Sequence, residues 1–334
     1  MKTIDMHTHV IPPSFIEKMK QDERYGAKLV TSDAGKSHIA FSTGGKHPYS
    51  PVFFDMEARK KEMDKIGIDV HGLSISPRLF YYEFELDIAK DVCRICNDGI
   101  YEMVQKDSDR FFPVGTVPLQ DTEAAIAELV RIHEEYGFQS IQIGTEVNGK
   151  TIAEKSLWPF YEEVAKRDIK IIIHPFAYGE QKFMDSYYLN NFIGNPLYTT
   201  LAAAHLIFSG LLEKYQNLMF ILCHGGGFLP YQIGRFDHGF KEREEPKQNI
   251  EKLPSHYFKK NFCFDTICHD VSRTKALVDL VGEDVVLMGS DYPYDMADHD
   301  PYATVKALNV SETIKEKIAN TNSVKLFSLD SFKK

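Results

Sequence analysis

Eight short apolar runs punctuate the chain, at Thr3–Met6, Val70–Ser76, Phe111–Val117, Ser140–Ile143, Ile169–Ile173, Met219–Cys223, Phe262–Asp265 and Val285–Met288. Several lack any in-out alternation, the pattern of strands buried on both faces of a parallel sheet. Between them the period becomes helical. Thr122–Tyr136 sets Ile126, Leu129, Val130 and His133 three and four apart among charges, with Asp121 or Thr122 as N-cap and Gly137 as the stop. Comparable stretches run over Asp55–Ile66, Ile88–Lys106, Ser156–Lys166, Thr199–Tyr215, Val271–Val281 and Ser311–Phe327. Strands alternating with helices in this number predict an α/β fold, a (β/α)8 barrel of the TIM type. One connection breaks the pattern. Ser14–Phe54 holds Gly26, Gly35, Gly44, Gly45, Pro48 and Pro51 around the alternating piece His38–Ser42, and reads as an inserted hairpin flap over the barrel mouth. Residues 1–334 are therefore expected to form a single barrel domain with an insertion at about 14–54.

Composition narrows the function classes. A net charge of −9 and the lack of any long Lys/Arg block argue against nucleic acid as a partner. No run of ~20 apolar residues is present, so no transmembrane helix is expected. The start, MKTIDMHTHVIPP, is too polar for a signal peptide. The odd, sparse set of 5 cysteines suggests reduced thiols in the cytoplasm. Cys93 and Cys96 have metal or redox spacing, but they sit in a helical pattern without a second pair and read as a buried helix face.

Candidate chemistry follows from the barrel. The C-terminal ends of all its strands reach one face, where active sites form. His7 and His9 end strand one, His174 ends strand five, His224 ends strand six and Asp291 follows strand eight. Residues two apart on a strand point the same way, so His7 and His9 can reach one cation. Histidines with a carboxylate suit Zn²⁺, Mn²⁺, Fe²⁺ or Co²⁺. Pro175 biases His174 to extended backbone and presents its ring to the mouth. His224, before Gly225-Gly226-Gly227, reads as a general acid/base or a fifth ligand. His269-Asp270 reads as a turn with a capping aspartate, and His205, in an apolar helix, as a core or helix-contact residue.

Together, Asp5-Met6-His7-Thr8-His9, Phe138 to Thr145, Ile173-His174-Pro175, the run from Gly210 through His224-Gly225-Gly226-Gly227 to Gly234-Arg235-Phe236 and Phe240, and Gly289-Ser290-Asp291-Tyr292-Pro293-Tyr294 resemble the amidohydrolase superfamily over most of the chain. Within it they resemble the branch of non-oxidative decarboxylases typified by 2-amino-3-carboxymuconate-6-semialdehyde decarboxylase. The resemblance implies one divalent ion, zinc with manganese as the alternative, on His7, His9, His174 and Asp291. It implies that His224 transfers protons and activates a metal-bound water, with Asp291 holding that water. Arg235 matches an arginine that reaches the substrate carboxylate, often in the neighbouring subunit of a dimer, so a homodimer is expected. The flap is a departure: Ser37–Pro51 contains no arginine, Lys46 and His47 are the cationic candidates there, and Arg78 after strand two is the nearest substitute. Phe176, Tyr292 and Tyr294 are expected to wall the substrate site.

The expected activity is thus metal-dependent decarboxylation, without a redox cofactor, of a carboxylated aromatic or muconate-semialdehyde-type acid. The alternatives are hydrolysis of an amide, ester or lactone, a hydratase on the same site, or a non-catalytic ligand-binding barrel. A two-metal hydrolase needs a bridging lysine or glutamate near the end of strand four, where only Glu146 is available.

Overall fold

Eight parallel strands carry the architecture: β1 (Ile4–Val10), β2 (Val70–Ile75), β3 (Phe111–Pro113), β4 (Ser140–Ile143), β5 (Lys170–Ile173), β6 (Phe220–Leu222), β7 (Phe262–Asp265) and β8 (Val286–Leu287). They come from a computed structural model that describes residues 2–32, 35–176 and 183–332. β1 to β3 form one run in chain order and β4 to β8 another. Register is set by pairs such as Ile4 with Val70, Ile171 with Phe220, and Phe264 with Val286. Two seams join the runs into a ring. At β3–β4, the Gly115 N–H donates to the Ser140 carbonyl at 2.9 Å and the Gln142 N–H to the Gly115 carbonyl at 2.8 Å. A Cβ at Gly115 would press into the side chains of Ile132 and Phe138. At β8–β1, the Met6 N–H donates to Met288, the Asp291 N–H to His7, and the His9 N–H to Tyr292.

β1 is buried at every position, as expected of a strand packed on both faces. One apolar layer lies between strands and outer helices. A second fills the barrel's lower interior, with Ile4, Met6, Val70, Phe112, Ile172, Ile221 and Leu287 sealed beneath by Val324, Phe327 and Phe332. The helices Thr122–Tyr136 and Val271–Val281 begin and end where their caps predict: Asp121 accepts from the Ala124 N–H, Gly137 takes φ 73°, and Asp270 accepts from the Arg273 N–H. Cys93 and Cys96 are buried on the helix Leu86–Gln105, and all five cysteines are free thiols. No helix among the described residues is long and apolar enough to cross a membrane.

Several expectations need correction. The insertion is more than a hairpin. A helix over Pro13–Gln21 leads into a three-stranded antiparallel sheet, Ala27–Thr31, Ser37–Phe41 and Lys46–Pro48. That helix leaves no capping signal in the sequence, because no side chain caps its start. The helix expected over Thr199–Tyr215 starts at Asn195, ends at Phe208, and gives way at Gly210, whose φ is 86°. The last helix is interrupted by a π-turn at Lys317–Thr321, where Asn320 turns aside to donate to the carbonyls of Lys2 and Phe332. His205 is exposed on its helix, not in the core.

Candidate metal centre

The β1 rim delivers His7 and His9 on one face, while Thr8 between them turns away to donate to the Gly72 carbonyl at 2.7 Å. β5 ends in His174. Closure of the β8–β1 seam sets Asp291 beside them, with its own backbone at φ 68°, a conformation non-glycine residues seldom adopt. Three imidazole nitrogens then approach one oxygen. Asp291 Oδ1 lies 2.9 Å from His9 Nε2, 3.4 Å from His7 Nε2 and 3.5 Å from His174 Nε2. The four donor atoms all fall within 4.8 Å of one another.

The donor chemistry fits a divalent cation. Each ring has its other nitrogen occupied by an acceptor: His7 Nδ1 by Asp265 at 2.8 Å, His9 Nδ1 by the Ile75 carbonyl at 3.0 Å, and His174 Nδ1 by the Pro175 carbonyl at 2.9 Å. In the neutral tautomer with Nδ1 protonated, the form that ligates a cation, every Nε2 carries a lone pair. His7 Nε2 and His9 Nε2 nevertheless lie 3.1 Å apart, and the buried His174 Nε2 makes no hydrogen bond. Lone pairs so close repel unless positive charge lies between them. Donors placed tetrahedrally at ~2.0–2.1 Å from an ion would be roughly 3.3 Å apart. Burial opposes charge on Asp291 most strongly, yet the imidazoles of His174, His224, His7 and His9 together hold its carboxyl well below the usual carboxylate range. Burial pushes His174 down to about 3, which keeps its ring neutral.

His224 stands apart. Its Nε2 is 3.6 Å from the other carboxylate oxygen, Asp291 Oδ2, and it does not belong to the converging donor set. Its φ is 56°, and its Nδ1 is buried without a hydrogen bond. What holds it is Asp265, a residue the strand pattern marked only as the end of β7. One Asp265 carboxylate accepts from the His7 ring, from the His224 N–H at 2.9 Å and from the Gly225 N–H at 2.7 Å. An aspartate ending the otherwise apolar run FCFD at the same rim was the available signal. Because Asp265 orients the ring of a candidate ligand, Asp265→Ala is expected to weaken Mn²⁺ binding 10–100-fold in equilibrium dialysis. Native affinity in that variant would show that His7 needs no such support.

Two adjoining cavities open above the donors. The larger, about 510 Å³, is lined by Arg78, Phe176, Tyr294, Lys46, His47 and His174, among others. The smaller, about 350 Å³, reaches His224, Cys268 and His269, and the two share Asn191, Asn195, Asp291 and Met296. Three of the sequence-predicted substrate residues therefore line the larger one. The Arg78 guanidinium stacks on Phe176 at 5.0 Å and on Phe41 of the flap at 5.4 Å, and donates to the Gly44 carbonyl. Tyr294 sits 5.2 Å from the His9 ring and bonds Ser76 and, at 3.1 Å, His47 of the flap. Tyr292 is not in the wall. It turns away onto Arg59, because the seam fixes its backbone to His9. Arg235 is exposed on the helix Leu229–Glu242 and lines neither cavity of its own chain. Glu146 pairs with Thr151 in a small hairpin and is outside the donor cluster. Asn191 and Asn195 carried no signal in the sequence, since the π-turn Asn190–Gly194 that aims them has no distinctive pattern.

The family described as Amidohydrolase matches residues 4–329. The chain is 32% identical over 330 residues to 2-amino-3-carboxymuconate-6-semialdehyde decarboxylase of Dictyostelium discoideum, spanning 98% of this chain and 92% of that one. It is 30% identical over 295 residues to gamma-resorcylate decarboxylase of Polaromonas sp. (strain JS666), spanning 82% and 87%. Among solved structures, the dihydroxybenzoic acid decarboxylase of the same Polaromonas strain, with bound manganese and the inhibitor 2-nitroresorcinol, superposes with a TM-score of 0.81 at 23% identity, over 98% of this chain and 97% of that one.

Proposed function

The chain belongs to the amidohydrolase family, and on that premise we propose that it is a metal-dependent, non-oxidative decarboxylase of a carboxylated aromatic or muconate-semialdehyde-type acid. The observation that carries the reading is the convergence of three Nε2 lone pairs and one carboxylate oxygen at the floor of an aromatic cleft. His7, His9, His174 and Asp291 are the ligands in this reading, with zinc as the ion and manganese as the alternative. Manganese is what the Polaromonas decarboxylase holds. A cation bound there supplies fixed positive charge against the negative charge that develops as CO2 leaves.

The remaining work falls to side chains. Phe176 and Tyr294 flank a planar substrate, and Arg78 on the cleft wall attracts its anionic end, a local charge needed in a chain of net charge −9. When the carbon–carboxylate bond breaks, its electron pair stays on the substrate carbon. His224, as general acid, gives that carbon a proton and regains one from solvent. Asp291 Oδ2 lies near enough to steady the protonated ring. Arg235 acts from a second copy of the chain, across a homodimer contact, on its partner's substrate. A single barrel domain in the cytoplasm completes the reading, supported by the five free thiols. The absence of Glu146 from the donor cluster speaks against a two-metal hydrolase.

The test is a screen for CO2 release with the metal-loaded chain over carboxylated catechols, resorcylates and aminocarboxymuconate semialdehyde. Release from at least one is expected. No CO2 from any of them, with hydrolysis of a lactone instead, would reverse the assignment to a hydrolase.

A further inference from the structure

Arg59 lies on the inward stripe of the helix Met56–Ile66, between Met56 and Met63, where an apolar residue is the ordinary occupant. It is fully buried. A guanidinium costs heavily to take out of water, and an apolar side chain of similar volume often serves a fold as well or better. Its presence is therefore better explained by what it grips. Nε donates to the Val52 carbonyl at 3.1 Å, where the flap rejoins the barrel. Nη1 donates to Thr8 Oγ1 at 3.0 Å and faces His71 Nδ1 on β2 at 3.2 Å. Nη2 donates to the backbone carbonyl of His9, and the plane of the group stacks on the Tyr292 ring at 4.9 Å.

These partners are the residues next to the proposed ligands. Thr8 lies between His7 and His9, and Tyr292 follows Asp291. One rigid fork thus holds the tip of β1 and the segment after β8 together, from the side opposite the donor cluster. A lysine could satisfy one or two of these acceptors but not the planar set. We infer that Arg59 is a positioning residue: it fixes the β1 tip against the Asp291–Tyr292 segment, and so sets the spacing of the donors. The inference rests on the metal-centre reading above.

The variants to compare are Arg59→Lys and Arg59→Met, each first shown by circular dichroism to be folded. The lysine variant keeps the charge and is the milder of the two. The expected result is a 10–100-fold weaker Mn²⁺ affinity in both, by competition with a chelator. The visible absorption of the Co²⁺-substituted protein should also change, reporting altered ligand geometry, and kcat should fall with KM little changed. Without metal, the Asp291 amide, bonded to the His7 carbonyl, should exchange its hydrogen faster while amides of β4 and β5 keep their native rates. A folded variant with native Mn²⁺ affinity and a native cobalt spectrum overturns the inference. A native chain that takes up neither Zn²⁺ nor Mn²⁺ would sink the metal-centre reading itself, and the Asp291 exchange rate would then decide the role of Arg59 alone: an unchanged rate refutes it.

Discussion

Replacing His224 with alanine is expected to lower kcat for CO2 release by roughly 10²–10⁴-fold, the usual worth of a positioned general acid, while metal content stays native. The geometry separates these two outcomes. His7, His9 and His174 all face Asp291 Oδ1, whereas His224 faces Oδ2 from 3.6 Å. Deleting its ring removes no member of the donor set. The backbone beneath it is held by Asp265 and does not depend on the imidazole. Its positive φ also marks a place where the fold accepts local strain, of order 1–3 kcal/mol, to aim a side chain. The check is steady-state CO2 release together with elemental analysis of the same sample. Loss of metal along with activity would make His224 a ligand, and a native kcat would remove it from the reaction.

Stripping the cation should abolish turnover completely, and adding back Zn²⁺ or Mn²⁺ should restore it. A cation held by the donor cluster would supply the fixed positive charge that offsets a developing carbanion, and Arg78 on the cleft wall does not replace it. Stability should move as well. A ligand bound only by the folded state at 100 times its Kd contributes about 2.7 kcal/mol, so chelation should lower the calorimetric Tm by the corresponding amount. The metal giving the higher kcat on reconstitution identifies the working ion. Full activity in protein shown by elemental analysis to be metal-free would end this account of the site.

Strand positions were legible because a parallel barrel buries both faces, and that burial writes continuous apolar runs into the sequence. The rim residues are legible for a related reason: each lies at or within three positions of the end of such a run, so His174 and Asp291 can be placed together although 117 positions part them. Arg59 was not legible. Its helix carries many charges, and a charge facing inward reads the same as one facing solvent. Asp265 was hidden by belonging to a strand, and Tyr292 was misplaced because neighbours in sequence, Tyr292 and Tyr294, face opposite sides of the seam. The flap was recognised by its glycines and prolines, but its third strand, Lys46–Pro48, is too short to show a period.

The seam between the last strand and the first also governs when a site can exist. His7 and Asp291 become neighbours through the hydrogen bonds that shut the ring, the contacts of longest loop in the barrel and the slowest to gain entropically. A chain with seven strands in place and the eighth undocked has the three histidines, and Asp265 behind the His7 ring, but lacks the Asp291 carboxylate that faces all three. In the proposed metal centre, the complete set of four donors is thereby reserved for the finished molecule.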